Sequence, residues 1–91
     1  MEYFIYWLIS EDSKNTYIGF SENICRRVRE HRAGQVNTTK HFGKFKCYIL
    51  ERANNLETAL IREKYWKSCA GRKKLKVYYY KLNILASSSN G

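Results

Sequence analysis

Two tyrosines, one arginine, one histidine and one glutamate are the residues of this chain whose types and spacing could do chemistry together. They are Tyr6, Tyr17, Arg27, His31 and Glu63. Phenols and imidazoles donate and accept hydrogen bonds, and an arginine held beside an apolar face can bind a phosphate through its forked donors. Together the five residues allow a site on a basic domain.

Ordinary structural roles explain the same residues, and the residue types alone leave both interpretations open. Arg27 and His31 lie one helical turn apart, beside the apolar stripe of their predicted helix. In such places an arginine is commonly part of a solvated face, and a histidine is commonly a satisfied boundary residue. Tyr6 and Tyr17 are expected on two paired strands, where aromatic pairs are ordinary stabilisers of a sheet.

Glu63 interrupts the apolar stripe of the helix predicted over residues 56–67. The apolar residues whose offsets stack on one face of this helix are Leu56, Ala59, Leu60 and Trp66. Glu63 falls at the same offsets, although desolvating a carboxylate is costly unless something compensates its charge. Either the helix is rotated so that Glu63 reaches solvent, or Glu63 has a partner.

A hairpin and a helix are predicted for the first third of the chain. β-branched and aromatic residues predict strands over residues 3–9 and 16–20, and the polar residues between them form a turn. The segment 22–34 has apolar residues at helical spacing and ends at Gly34, a natural helix stop. Antiparallel pairing would place the two tyrosines on neighbouring strands, and a suitable register puts both on one face.

The rest of the chain predicts a loop over 35–46, a third strand over 47–52 and the helix over 56–67. Asn54 and Glu57 resemble a capping box that opens this helix. Residues 71–82 combine a basic turn with either a short helix or a strand. The order β-β-α-β-α predicts an α/β (α+β) fold, in which helices flank a small three-stranded antiparallel sheet. We expect one domain over 1–84 and a disordered tail over 85–91.

The charge balance indicates a polyanionic partner. The 91 residues include 17 Lys+Arg and 8 Asp+Glu, a formal net charge of +9. Such an excess favours nucleic acid first and an anionic membrane surface second, although a basic surface also confers solubility. The chain has no apolar run long enough for a membrane span, so we expect no membrane location.

The cysteines and the N-terminal residues indicate the compartment. Three cysteines lie far apart without a CxxC pair, so neither a disulfide framework nor a zinc site is predicted. The stretch "MEYFIYWLIS" has none of the basic residues of a secretory signal. We therefore expect a cytoplasmic protein, associated with the nucleoid, or a nuclear one in a eukaryote.

Four segments in order resemble the GIY-YIG nuclease family. They are "FIY" (4–6), "YIG" (17–19), "ENICRRVREH" (22–31) and "ALIREKYWK" (59–67). The likeness runs from about Tyr3 to about Leu75, and Phe4 replaces the glycine of the first motif. In layout the chain is similar to the small stand-alone members, close to the nuclease domains of excision-repair and structure-specific endonucleases.

The resemblance implies a divalent-metal-dependent endonuclease that hydrolyses DNA phosphodiester bonds, structure-specific and acting in repair or recombination. It implies that Glu63 is the metal ligand for Mg²⁺ or Mn²⁺ and that Arg27 clamps the phosphate. Tyr6 is favoured as the base, Tyr17 as the group that orients the water or the phosphate, and His31 as a nearby base that assists. The alternative is a non-catalytic nucleic-acid-binding module with the same fold.

The resemblance also implies contacts with the phosphate backbone of DNA. The residues expected to make them are Gly19, Arg26, Lys40, His41 and Lys44. For Lys40 and His41 a solvated loop explains the residue types equally well. The family's enzymes usually gain targeting from appended domains, so we expect weak, salt-sensitive DNA binding unless a protein partner supplies targeting. The oligomeric state stays open.

Overall fold

Three strands form one antiparallel sheet in a computed structural model that describes residues 1–12 and 14–89. The strands are β1 (Tyr3–Ser10), β2 (Thr16–Ser21) and β3 (Phe45–Ala53), and their order in the sheet is β2-β1-β3. β1 pairs antiparallel with both neighbours, so it is the central strand and the most buried one. The predicted three-stranded antiparallel sheet is confirmed.

Three helices pack around this sheet: α1 (Ile24–Arg32), α2 (Leu56–Lys67) and α3 (Cys69–Ser89). α1 begins where the side chain of Asn23 accepts a hydrogen bond from the backbone N–H of Arg26, at 3.0 Å. It ends just before Gly34, whose φ of 75° is the left-handed conformation that glycine adopts without strain. The predicted helix over 22–34 is therefore present in a shorter form.

The predicted capping box on Asn54 is wrong by one residue. Asn55 is the residue that precedes α2, and its Oδ1 accepts a hydrogen bond from the N–H of Thr58 at 2.8 Å. An N-cap side chain accepts a hydrogen bond from a backbone N–H two or three residues further on. Both asparagines are followed by such an N–H at that distance. The spacing to Glu57 favoured the wrong one.

Residues 71–82, for which a short helix and a strand were both open, belong to the 21-residue helix α3. The chain contains no proline to end it. α3 continues past residue 84, through the first part of the expected tail over 85–91, and residues 90 and 91 lie outside the described residues. The division at residue 84 stays a prediction. No helix within the described residues is long and apolar enough to cross a membrane.

The two faces of the sheet carry different packing. Alternate residues of a strand point to opposite faces, so Ile5, Trp7 and Ile9 lie on one face and Tyr6 and Leu8 on the other. The first face carries the main apolar core, which α2 and α3 complete. Its buried residues are Ile5, Trp7, Ile9, Ile18, Ala53, Ala59, Trp66 and Leu75. The second face buries polar groups as well, and it carries the candidate site.

α2 is rotated relative to the orientation that its sequence predicts. Ala59 and Trp66 are buried as expected, but Leu56 and Leu60 are 48% and 49% exposed. Glu63 lies at the border of the buried face with a side chain 20% exposed, and its carboxylate forms an ion pair with Lys67 at 3.3 Å. Of the two alternatives raised by the sequence, the second holds: the rotation exposes Leu56 and Leu60, whereas Glu63 stays largely buried and has Lys67 as its partner.

A bulge in β3 places a second carboxylate against α2. Ile5 pairs with Glu51 and Tyr6 with Ile49, so Leu50 is an extra residue in the strand. Glu51 thereby shares the face of Ile5 and accepts hydrogen bonds from Arg62 Nε and, at 2.9 Å, from Trp66 Nε1. This link ties β3 to α2.

The start of β3 also differs from prediction, because the strand begins at Phe45 and not at Cys47. Phe45 pairs with Ser10 at the end of β1, and the N–H of Glu11 donates to the carbonyl of Lys44 at 2.9 Å. The pairing therefore extends into the segment whose polar residues predicted a loop.

Candidate active site

The register of β1 and β2 brings the two tyrosines onto one face. Tyr6 pairs with Gly19, and Leu8 pairs with Tyr17. Tyr6 and Tyr17 are therefore diagonal neighbours, with ring centroids 6.1 Å apart. This is the arrangement that antiparallel pairing of the predicted hairpin allowed.

Gly19 leaves space for the phenol of Tyr6. A Cβ atom built at this position would lie 2.6 Å from Tyr6 Oη and 2.9 Å from Tyr17 Cε1, closer than atoms of real side chains approach. The close approach that explains this glycine is thus made by Tyr6. The expected contact of Gly19 with DNA stays a prediction.

Tyr6, His31 and Thr39 form a buried chain of hydrogen bonds. Tyr6 Oη lies 2.9 Å from His31 Nε2, and His31 Nδ1 lies 2.6 Å from Thr39 Oγ1. All three residues are almost completely buried. Reasoning from the sequence missed Thr39, because one threonine in a polar loop gives no signal.

Arg27 and Tyr17 both lie close to the Tyr6 hydroxyl. A guanidinium only donates hydrogen bonds, so the Tyr6 oxygen is the acceptor toward Arg27. A neutral imidazole has one donor nitrogen and one acceptor nitrogen. One of the two His31 contacts, with Tyr6 or with Thr39, therefore uses the N–H of His31 and the other uses its lone pair.

Burial keeps this pair neutral. Burial raises the pKa of Tyr6 well above its ordinary value, and the nearby Arg27 offsets only part of that effect. Burial also lowers the pKa of His31, and the positive charge of Arg27 lowers it further. At neutral pH the phenol is therefore protonated and the imidazole is uncharged.

Arg27 is held at the rim of this buried chain. Its Nη1 donates to Glu30 Oε1 at 2.9 Å, and both side chains are about one third exposed. The ion pair with Glu30, followed by the contact with Tyr6, raises the pKa of Arg27. Arg27 likewise lowers the pKa of Glu30. A guanidinium has five N–H donors, so donors remain for an incoming phosphate.

Sequence reasoning missed Glu30, although a signal for it exists. Residues three apart on a helix are neighbours on its surface, and Glu30 follows Arg27 by three. The four arginines and the histidine of α1 give the helix the pattern of a basic face, and that pattern masks its single carboxylate.

The structure brings four of the five expected catalytic residues together. Tyr6, Tyr17, Arg27 and His31 lie on one face of the sheet, where the Tyr17 and His31 rings are 5.1 Å apart. Glu63 lies on α2, and the ion pair described for it is the one with Lys67. The expected roles of all five residues stay predictions.

Glu63 suits only a particular kind of metal site. No group of three or more His, Cys, Asp and Glu side chains within residues 1–12 and 14–89 could hold a metal ion. A single carboxylate offers hard oxygen donors, which fit Mg²⁺ or Mn²⁺, and Mg²⁺ commonly keeps several waters and takes further oxygens from substrate phosphates. The donor set thus fits a weakly held divalent cation completed by substrate.

Four of the expected DNA contacts are exposed. Arg26 is exposed on α1, and Lys40, His41 and Lys44 are exposed in the segment before β3. Thr39 joins that segment to the buried chain, because its hydroxyl meets His31 and its carbonyl accepts from the N–H of Phe42 at 2.9 Å. The basic segment is therefore anchored next to the candidate site.

A family model described as the GIY-YIG catalytic domain matches residues 2–79. The match spans all three strands, α1, α2 and the first half of α3. Searches of curated proteins and of solved structures find no match. GIY-YIG domains imply nuclease-type activity in general, with DNA as the substrate and with general use of divalent metal ions. Since the match covers most of the 91 residues, this chain belongs to the GIY-YIG family.

Proposed function

We propose that this chain is a divalent-metal-dependent endonuclease that hydrolyses phosphodiester bonds in DNA. The observation that carries the proposal is the cluster of Tyr6, Tyr17, Arg27 and His31 on one sheet face, within a chain matched over most of its length by a catalytic-domain model. A structure-specific role in repair or recombination, and a location in the cytoplasm or the nucleus, belong to the same proposal.

In this proposal the two tyrosines exchange the roles that the sequence favoured. Tyr6 is 1% exposed and its hydroxyl is engaged by His31, and its raised pKa opposes the loss of its proton. Tyr17 is only partly buried. Of the two tyrosines, Tyr17 is therefore the one whose hydroxyl can reach the attacking water. We assign Tyr17 to orienting that water and accepting its proton, and Tyr6 to positioning.

Arg27 binds the scissile phosphate in this mechanism. Its guanidinium keeps free donors while Glu30 fixes one end of it. Such a held cation offsets the negative charge that develops on the phosphate oxygens without having to reorganise during the reaction. Glu30 therefore acts through Arg27, as a positioning residue.

Glu63 would hold the divalent cation, which supplies charge stabilisation for the scissile phosphate and the leaving oxygen. Lys67 is the partner of the Glu63 carboxylate in this structure, so a bound cation competes with that ion pair. One carboxylate holds such an ion weakly. We therefore expect cleavage to need free Mg²⁺ or Mn²⁺ in the buffer.

The test is cleavage of labelled duplex, single-stranded and branched DNA with Mg²⁺, Mn²⁺ or EDTA. Arg27→Ala and Glu63→Gln are compared with Arg29→Ala and Glu57→Gln, exposed residues on the same two helices. We expect the first two variants to lose cleavage by about a hundredfold or more and the controls to keep it. Circular dichroism checks that each variant is folded.

Two outcomes would contradict the proposal. Cleavage that survives EDTA, or that survives both Arg27→Ala and Glu63→Gln, would show that a different site or a contaminant is responsible. Salt-sensitive DNA binding without cleavage of any substrate would identify a non-catalytic nucleic-acid-binding module.

A further inference from the structure

α3 carries charge of one sign only. Its 21 residues contain five Lys or Arg and no Asp or Glu, whereas the rest of the chain carries acidic residues among its basic ones. More than half of the net charge of +9 therefore lies on this one helix. Concentrated charge of one sign attracts a polyanion and raises its local concentration.

Four of these cations are free to bind a partner. Lys74 lies over the ring of Trp66, 5.6 Å from its centroid, and is thus engaged with α2. The other four are exposed, and no ion pair within the described residues involves them. They are Arg72, Lys73, Lys76 and Lys81. By contrast, Arg27, Arg62 and Lys67 on the other helices each contact a carboxylate.

Two of the free cations line a groove together with an exposed aromatic ring. Arg72, Lys76 and Tyr80 follow one another at intervals of four residues, so they form one stripe along α3. They line a groove of about 610 Å³ whose apolar floor includes Ile9 and Leu75. Tyr80 is 68% exposed. An exposed aromatic ring leaves much apolar surface in water, so this ring is available to pack against a ligand.

We propose that this stripe of α3 is a second nucleic-acid-binding surface, which holds an unpaired strand. Arg72 and Lys76 would contact successive phosphates, while Tyr80 and the groove take a base. Cations beside aromatic rings are the combination that binds single strands, since every base has a face on which to stack. This inference rests on the proposed function in that both take nucleic acid as the partner.

The alternative polyanion is a membrane surface, and α3 fits it less well. A helix that lies in a membrane interface buries a continuous apolar face in the lipid. The apolar face of α3 already packs against the protein, because Leu75 belongs to the core. Its exposed side interleaves Val77 and Tyr80 with lysines. Nucleic acid is therefore the partner that the residues favour.

The proposed surface lies on the opposite side of the sheet from the cluster of Tyr6, Tyr17, Arg27 and His31. Leu75 packs with Ile5, Trp7 and Ile9 on one sheet face, whereas Tyr6 and His31 lie on the other. Binding by α3 and cleavage at Arg27 are consequently separable. A substrate whose unpaired strand reaches α3 while its scissile bond lies at Arg27 engages both surfaces.

The experiment measures binding without cleavage. Fluorescence anisotropy in EDTA follows a labelled oligothymidine and a labelled duplex over a range of salt. The double variant Arg72→Gln/Lys76→Gln is compared with Lys14→Gln/Lys64→Gln, which removes the same charge from exposed positions outside α3. Tyr80→Ala tests stacking. Thermal unfolding checks that each variant is folded.

We expect the α3 double variant to bind oligothymidine about tenfold more weakly and to reduce the salt slope of that binding by about 1.4. Tyr80→Ala is expected to weaken oligothymidine binding at least about fivefold and duplex binding less. The control pair should change the affinity for oligothymidine and the salt slope of that binding much less than the α3 pair does. Because EDTA prevents metal-dependent cutting, these results do not depend on whether the chain is a nuclease.

Two results would overturn the inference. Equal losses in the α3 pair and the control pair would mean that net charge alone drives binding. Unchanged oligothymidine binding, together with lost binding of the α3 variants to phosphatidylserine vesicles, would identify a membrane surface. If the α3 variants lose oligothymidine binding but no form of the protein cuts DNA with Mg²⁺ or Mn²⁺, the binding surface stands and the proposed nuclease function fails.

Discussion

The hydroxyl of Tyr6 lies 2.9 Å from Nε2 of His31, and neither side chain is more than 2% exposed. This hydrogen bond joins the central strand to α1 in a place that water does not reach. A buried polar group without a partner costs more than its hydrogen bond contributes. Each of the two residues therefore depends on the other, and the site near Arg27 depends on both.

Replacing each tyrosine by phenylalanine should separate a positioning role from a role in contact with substrate. Tyr6→Phe leaves His31 Nε2 without its partner, so we expect the free energy of unfolding to fall by about 1–3 kcal/mol. Tyr17→Phe removes a hydroxyl from a partly buried residue and should change stability by less than about 0.5 kcal/mol. Urea denaturation measures both.

Cleavage by the same two variants completes this comparison. If Tyr17 contacts the attacking water, Tyr17→Phe should lose cleavage while it stays fully stable. Full activity of Tyr17→Phe, with inactivity of a folded Tyr6→Phe, would restore Tyr6 as the base.

His31 should make the protein less stable in acid. Burial and Arg27 lower its pKa in the folded state, while in the unfolded chain it titrates near the ordinary value of about 6.5. Below that pH the unfolded state binds a proton that the folded state resists, so stability is full above it and falls as the pH decreases. The titratable groups around the imidazole are Arg27, Glu30, Tyr6 and Tyr17.

The measurement is the urea midpoint between about pH 5 and 8, where histidine titrates. His31→Gln should flatten the slope over this range, whereas His41→Gln, an exposed histidine, should leave it unchanged. A slope that persists in His31→Gln would assign the acid sensitivity to other groups.

Glu51 should contribute to stability through its contacts with α2. Its carboxylate accepts from Arg62 and from the indole N–H of Trp66. Although burial alone would raise it, the pKa of Glu51 is lowered by these two hydrogen bonds. We expect Glu51→Gln to reduce the free energy of unfolding by about 1–2 kcal/mol, because an amide accepts less strongly and presents its own donors.

Glu11→Gln is the matched control for Glu51→Gln, since that carboxylate is exposed in the turn after β1. In thermal unfolding, the midpoint temperature of Glu11→Gln should stay close to that of the parent protein. Equal stability of the two variants would show that Glu51 contributes no more than a surface charge.

The N-cap of α2 can be identified by comparing two neighbouring asparagines. Asn55→Ala removes the acceptor of the Thr58 N–H and should cost about 1 kcal/mol of stability. Asn54→Ala should change it by less than about 0.5 kcal/mol. Urea denaturation measures the loss of stability in both variants. A larger loss in Asn54→Ala than in Asn55→Ala would support the capping box that the sequence suggested.

Local patterns predicted the hairpin and both shorter helices because these elements follow simple periodicities. The alternation of β1 and β2 was enough to expect Tyr6 and Tyr17 on one face. β3 was harder, because the extra residue Leu50 interrupts its alternation. The orientation of α2 was harder still. The sequence pattern predicts that Leu56 and Leu60 are buried, although both are exposed. Only the packing of Trp66 in the folded protein shows which side of the helix is buried.

The candidate site was predictable where it lies on regular elements and not where it depends on a loop. Arg27 and His31 follow helical spacing and were expected together. Thr39 reaches His31 from an irregular segment, and its distance of eight residues along the chain predicts nothing about contact. Long-range hydrogen bonds of this kind follow from the whole fold.

The contact between Gly19 and Tyr6 has a consequence for how the sequence can change. The phenol of Tyr6 occupies the volume that any side chain at position 19 would need. An alanine at 19 is therefore acceptable only if the residue at position 6 becomes smaller or moves off His31. The two positions should covary across relatives, and the glycine of the second motif should be lost only where the tyrosine of the first is replaced by a smaller residue or displaced from the histidine.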